Sequence, residues 1–281
     1  MAGTECTLAL TELSPQVEAA RCILVNEGGA ETVLKQIVIA AAFLSSTSAT
    51  AQDGWTYRTT LYGWLAGLSS TVETPQGDLE TDIDFDEVLE DLNLGVFGAF
   101  DARNGRFSLL ADAMFLDLTS ELAGPFGGAV YSRGEVDTKM VLVNALAMYA
   151  LVDDASVRFE VGGGLRYSDM DIDTRLTGQD AVPDVAIDSD ADWADLLIST
   201  RISGQFTDKW FGVAYADVGG FAIDDASSDL TWQTLAGVGY QFTKGWSAVG
   251  GYRYLSIERE FLNVDTTTEV YGPFLGAQFS F

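Results

Sequence analysis

The segment that most constrains how this chain can fold is its last, Glu269 to Phe281, which reads E-V-Y-G-P-F-L-G-A-Q-F-S-F. Tyr271, Pro273, Leu275, Ala277, Phe279 and Phe281 fall on one side of an extended chain. Val270, Gly272, Phe274, Gly276, Gln278 and Ser280 fall on the other. Side chains of a strand alternate between its two faces, so this period-two pattern predicts a strand with one apolar face. The pattern recurs throughout the chain from Gln52 onward. It predicts about ten strands, near Trp55–Ser70, Asn93–Arg103, Arg106–Ser120, Val136–Leu151, Ser156–Asp171, Asp192–Thr207, Lys209–Phe221, Asp229–Thr243, Gly245–Ile257 and Thr268–Phe281.

Short connections alternate with long ones. Asn104-Gly105 is a two-residue hairpin signal, and Asp153-Asp154 makes a second tight turn. Two more share one plan, Phe206-Thr207-Asp208-Lys209-Trp210 and Phe242-Thr243-Lys244-Gly245-Trp246, each with an aromatic on both sides of a polar turn. Ordinary hairpins of a soluble sheet would also be tight. The repeated aromatic flanks favour an interfacial girdle, because amphipathic rings settle at the headgroup level. No segment reaches the ~20 consecutive apolar residues of a membrane helix. The fold class expected is therefore all-β, an antiparallel up-and-down transmembrane β-barrel with short turns at one rim and long acidic loops at the other.

Facing follows from the alternation. Val157, Phe159, Val161, Gly163, Leu165 and Tyr167 oppose Arg158, Glu160 and Arg166; Leu196, Ile198, Thr200 and Ile202 oppose Ser199, Arg201 and Ser203. A soluble barrel turns its apolar set inward, whereas a membrane barrel turns it to lipid and leaves an unpaired edge nowhere. The membrane arrangement puts Arg58, Asp112, Asn144, Arg158, Glu160, Arg166, Arg201 and Arg253 in the lumen. Charges in a narrow barrel must pair or stay wet. These residues read either as ion pairs that fill the interior or as an arginine-rich solute path. At about ten strands a mostly filled interior is favoured, since eight strands enclose only side chains and wide channels need about sixteen. Gly162–Gly164 lie mid-strand, where they permit close strand packing or a bend.

Upstream, residues 33–51 read as a secretory signal peptide. Lys35 supplies the positive start, Ile37 to Leu44 a short apolar stretch, and Ala49-Thr50-Ala51 a small-x-small cleavage pattern ahead of Gln52. Residues 1–32, which hold both cysteines (Cys6 and Cys22), are then expected to be a mis-assigned extension, leaving residues 52–281 as the barrel and no cysteine for disulfide or thiolate chemistry. Both mature termini are expected on the short-turn rim, facing the periplasm.

Much of the formal charge of −27 lies in the long connections. A field of that sign repels nucleic acid. Three D-x-D-x-D runs occur there: Asp82/Asp84/Asp86, Asp169/Asp171/Asp173 and Asp188/Asp190/Asp192. Alternate carboxylates share a face, so each run offers three hard oxygens for weak Ca²⁺ or Mg²⁺ binding, a bridge to lipopolysaccharide phosphates. Position six of each run is Glu87, Thr174 or Trp193 rather than the glycine of an EF-hand loop. A solvated, repulsive surface is the plainer reading. Phe85, Val88, Leu89 and Leu92 recur at helical spacing and predict a short helix over the barrel mouth, with Asp84 as N-cap.

The terminal strand resembles the assembly signal of bacterial outer-membrane barrels, roughly polar-x-Gly-x-x-Φ-x-Φ with Φ hydrophobic. Gly276, Phe279 and Phe281 match it, and Phe274 stands where a polar residue is usual. The run from Phe85 through F-D-A-R-N-G-R-F to Leu118 resembles uncharacterised proteobacterial outer-membrane β-barrel proteins, in which an acidic loop and short helix precede an A-R-x-G-R-aromatic hairpin. These resemblances imply a small barrel in the outer membrane. Its partners would be outer-membrane lipids, lipopolysaccharide and the barrel-assembly machinery, and the resemblances supply no catalytic residue. The chain contains no histidine, which weighs against barrel enzymes that rely on a histidine-assisted step. The expectation is a non-enzymatic barrel with a structural or surface-interaction role; a narrow porin-like channel for small anionic solutes is the alternative.

Overall fold

The computed structural model describes residues 54–72, 79–83, 85–123, 131–179, 182–222, 227–261 and 264–281. The expected extension, the signal segment, Gln52 and Asp84 lie outside them. The elements are β1 (Trp55–Trp64), β2 (Gly67–Val72), β3 (Leu79–Ile83), α1 (Phe85–Asp91), β4 (Leu92–Asn104), β5 (Phe107–Ala123), β6 (Tyr131–Asp153), β7 (Val157–Gly178), β8 (Val185–Gln205), β9 (Trp210–Gly220), β10 (Leu230–Gln241), β11 (Trp246–Phe261) and β12 (Val264–Ser280).

From β4 to β12 each strand pairs antiparallel with the next, β4 returns to β1, and β1 pairs with β12 to close the sheet. One half of β12 pairs with β1 and the other half with β2. β1 and β2 are thus one wall strand interrupted at Leu65-Ala66, and the closed barrel has ten strands. The interruption has a covalent cause. Leu65 lies opposite Pro273, whose ring leaves no N–H to donate, so the ladder lapses there. The Leu65 N–H still donates to the Pro273 carbonyl at 2.9 Å, and Trp64 Nε1 donates to the Gly272 carbonyl at 3.2 Å.

The structure departs from the sequence reading in three places. First, β6, β7 and β8 are 23, 22 and 21 residues long, about twice the ~9–11 that cross a bilayer. The acidic stretch from Ser168 to Asp192 is therefore mostly strand rather than loop. Alternation persists through it, and the β7–β8 ladder runs on to Leu176 opposite Val185. Second, β3 adds to the far side of β2, and α1 follows it, lying near β2 and β5. No ladder joins β3 to β4 among the described residues. Third, the first tight turn is Gly105-Arg106, because Asn104 still pairs with Phe107; Gly105 takes the left-handed φ of 53° that the reversal needs.

The two F-T-x-x-W turns are duplicates. Thr207 Oγ1 accepts from the N–H groups of Lys209 and Trp210 at 3.3 and 3.1 Å; Thr243 Oγ1 accepts from Gly245 and Trp246 at the same two distances. Mid-strand, Gly164 is obligatory. A β-carbon there would sit 1.9 Å from the Ala145 carbonyl oxygen, so β6 and β7 approach as closely as only glycine allows.

The barrel is inverted relative to a soluble one. Leu275, Leu61 and Ile198 point outward and are 68%, 65% and 64% exposed, while Glu160, Arg166 and Asp195 are fully buried within. Two aromatic belts bound this apolar surface. At the short-turn end, outward rings of Trp55, Tyr57, Phe279 and Phe281 stack along β1 and β12, and Trp210, Tyr240 and Phe242 meet edge to face. Toward the other end Trp232, Tyr254 and Tyr271 stack in a row.

Candidate functional site

The interior is layered by strand position. Nearest the short turns is an ionic layer. Glu160 accepts from Ser108 Oγ at 2.5 Å, Arg158 Nε at 2.9 Å and Arg201 Nε at 2.6 Å. Arg158 reaches on to Asp153 at 2.7 Å, and Arg103 donates to Asp101 at 2.7 Å. Arg201 also donates to Asp101, so one guanidinium bridges two buried carboxylates. Arg58 lies among them. Above this layer Leu110, Leu146, Leu197, Tyr215 and Leu235 pack together.

The next layer is a closed ring of six side chains. Asn144 donates to Asp112 at 3.4 Å and accepts from Arg166 at 2.9 Å. Arg166 grips both oxygens of Asp217 at 2.8 and 3.0 Å. Gln233 donates to Asp217 at 3.3 Å and accepts from Arg253 at 2.6 Å, and Arg253 returns to Asp112 at 2.9 Å. The members come from β5, β6, β7, β9, β10 and β11, so the ring spans the lumen. Tyr62 and Thr231 saturate it: Arg253 donates to the Tyr62 hydroxyl at 2.6 Å, which donates to Asp112 at 2.6 Å, and Arg166 donates to Thr231 at 2.6 Å. Two arginines meet two aspartates, so the ring is neutral. Buried charges are tolerable only when paired and hydrogen-bonded in this way.

An apolar cluster that includes Trp64, Phe97, Met114, Leu142, Trp193, Leu255 and Phe274 packs against the ring. The Arg253 guanidinium lies 4.8 Å from the Trp64 ring centre, tying the ring to this cluster. Phe274, the residue that departs from the assembly pattern, is buried here.

All eight residues read as lumen-lining from the sequence project into the barrel, and the structure divides them. Arg58, Arg158, Glu160 and Arg201 lie in the lower ionic layer; Asp112, Asn144, Arg166 and Arg253 lie in the ring. Sequence reasoning missed Asp101, Tyr62, Tyr215 and Asp217. Tyr62 keeps the parity of Arg58, already read as inward, so alternation could have found it; no residue of the Asn93–Arg103 strand is read as inward from the sequence, so Asp101 has no such reference. Asp217 follows Phe211, Val213 and Tyr215 on an inward face that is otherwise apolar, so no polarity signal marks it.

The acidic runs occupy the outer wall, beyond the second aromatic belt. Asp169, Asp171 and Asp173 of β7 stand opposite Asp192, Asp190 and Asp188 of β8, and Lys139 of β6 stands opposite Asp171. Like charges directly opposed are destabilising. Partial burial, with Asp169, Asp190 and Asp173 around it, holds the Asp171 carboxyl above its usual pKa, and Lys139 opposes them. Arg175 relieves the next row by donating to Asp137 at 2.7 Å. Of the first run, Asp82 lies in β3 opposite Ser69, and Asp86 is exposed on α1. Among the described residues no group of three or more carboxylates is arranged to hold a metal ion. At the chain end, Gly276 faces inward on β12 and Phe279 and Phe281 face outward at the short-turn belt.

No protein-family model matches the chain, and no curated protein matches it by sequence. Among solved structures, the outer-membrane protease OmpT from Escherichia coli aligns over 82% of this chain and 98% of its own, at TM-score 0.51 and 10% identity. The translocator domain of the autotransporter NalP from Neisseria meningitidis aligns over 93% and 97%, at TM-score 0.42 and 12% identity. Ail of Yersinia pestis aligns over 82% and 100%, at TM-score 0.32 and 12% identity. The OmpT likeness is one of fold: this chain is a closed antiparallel barrel of the outer-membrane type.

Proposed function

We propose that the protein is an integral barrel of the bacterial outer membrane with a filled lumen, serving a structural or surface-interaction role and no catalytic one. The neutral six-membered ring carries this reading. It crosses the bore with its charges paired, and the apolar cluster packed against it opposes the passage of a hydrated solute. Against catalysis, the chain has no histidine, and the buried carboxylates Glu160 and Asp217 are engaged by guanidinium groups, while Asp195 accepts from the Ser228 amide and hydroxyl. The apolar belt between two aromatic rows supports membrane insertion. Both ends of the barrel sequence lie at the short-turn rim, which we assign to the periplasm. The outward rows of Asp, Lys and Arg beyond the second belt would then meet lipopolysaccharide headgroups, and Phe281 would be offered to the assembly machinery.

Conductance of the refolded protein in planar bilayers tests the filled lumen. We expect a silent membrane at physiological salt. Stable single-channel steps, with anion preference from the arginines, would replace this reading with the narrow pore.

A further inference from the structure

Between the ionic layer and the ring lies a cavity of about 170 Å³. We propose that it is a binding site for a small organic anion: one carboxylate on an apolar body about the size of a benzene ring. The proposal goes beyond the filled-lumen reading and holds whether or not the lumen conducts, since it requires only the folded interior.

Three observations carry it. The first is charge. Arg58, Arg103, Arg201 and Arg253 line the cavity with two carboxylates, Asp101 and Asp112, and Glu160 takes the Arg201 Nε from behind the wall, which leaves an excess of one positive charge. The ring beside it is neutral, so the excess lies on the ionic-layer side.

The second is unmet hydrogen bonding. The Arg201 side chain is only 6% exposed. Its Nε donates to Glu160 and one terminal nitrogen to Asp101, but the other terminal nitrogen has no partner among the described residues. Arg58 Nε is also buried without one. Buried donors are almost always satisfied, and leaving a charged one unmet is costly. Guanidinium edges match a carboxylate in charge and in donor geometry.

The third is the nature of the remaining wall. Leu110, Leu146, Leu235, Val249 and Phe211 close the other sides. A bare inorganic anion would leave these walls uncovered, and a neutral apolar molecule would leave the guanidinium edges unmet. A small aryl or branched aliphatic carboxylate satisfies both. Such a pocket, apolar with a few convergent polar groups, has the usual character of a small-molecule site.

The test is calorimetry on the refolded full chain in detergent, with benzoate as probe and benzyl alcohol and inorganic phosphate as comparators. We expect saturable benzoate binding at one site, with both comparators at least about tenfold weaker, because each lacks one half of the match. Arg58→Gln should weaken benzoate about tenfold or more, through loss of a charge-assisted bond. Ala99→Phe, which fills the cavity from β4 and leaves all four arginines in the sequence, should abolish binding. Retention of the fast-migrating band on unheated gels shows that each variant is folded. No saturable heat from the wild-type chain overturns the proposal, as does benzyl alcohol or phosphate binding as tightly as benzoate. Unchanged affinity in both folded variants overturns it too. The comparators act on the wild-type chain, so the test stands even if a variant fails to fold.

Discussion

Phe281 and Tyr57 exchange both of their backbone hydrogen bonds, each at 3.0 Å, and stack their rings with centroids 5.5 Å apart. The last residue of the chain thereby makes the last rung of the β1–β12 closure. In lipid, an unclosed edge exposes backbone groups with no water to satisfy them, so this rung matters beyond its two bonds.

Deleting Phe281 removes both bonds and the Phe279 ring contact. The expected result is reduced assembly, seen as loss of the heat-modifiable fast-migrating band on unheated gels. A deletion variant that assembles as well as the full chain would show that neither the rung nor the terminal aromatic is needed.

The ring predicts non-additive energetics. Arg166 and Asp217 are both fully buried. Arg166→Met should cost about 3–5 kcal/mol in unfolding free energy, because it strands a buried carboxylate. Asp217→Leu should cost a similar amount for the converse reason. The double variant should be much less destabilised than the sum of the two, since no unpaired charge remains. Urea titrations in detergent micelles measure all three; simple additivity would show that the two charges are not coupled.

The outer wall predicts a pH dependence of definite sign. The Asp171 carboxyl is held above its usual pKa, by partial burial first and then by Asp169, Asp190 and Asp173. A folded-state pKa above the unfolded one means the folded form binds the proton more tightly. The associated stability is fully present below the unfolded value and is lost as pH rises through the folded one. Amide protection factors, with the intrinsic pH dependence of exchange divided out, should therefore rise in the outer part of β7 and β8 as neutral solution is acidified toward the carboxylate range. Asp171→Asn should flatten that dependence. An unchanged pH profile in the variant would assign the effect elsewhere.

The barrel was legible because its signal is local and repeated. Val157 to Tyr167 alternate with Arg158, Glu160 and Arg166, and the F-T-x-x-W turns recur in identical geometry. The extent of β7 and β8 was not, because Asp169 to Asp173 and Asp188 to Asp192 combine a strand's period with a loop's composition, and the ladder between them is set by pairing. The break at Leu65 was hidden for a similar reason: its cause, Pro273, is more than two hundred residues away along the chain.

By itself, the sequence determined the strand alternation, the antiparallel barrel and which arginines point inward, since each depends on residues within about ten positions of one another. Only the tertiary structure decided what those arginines do. Whether Arg166 meets Asp217 and Arg253 meets Asp112, or whether one terminal nitrogen of Arg201 stays without a partner among the described residues, depends on which strands close across the lumen and at what height. Two runs of consecutive strands, β5 to β7 and β9 to β11, must face each other across the lumen before the ring exists, and no local periodicity encodes that meeting.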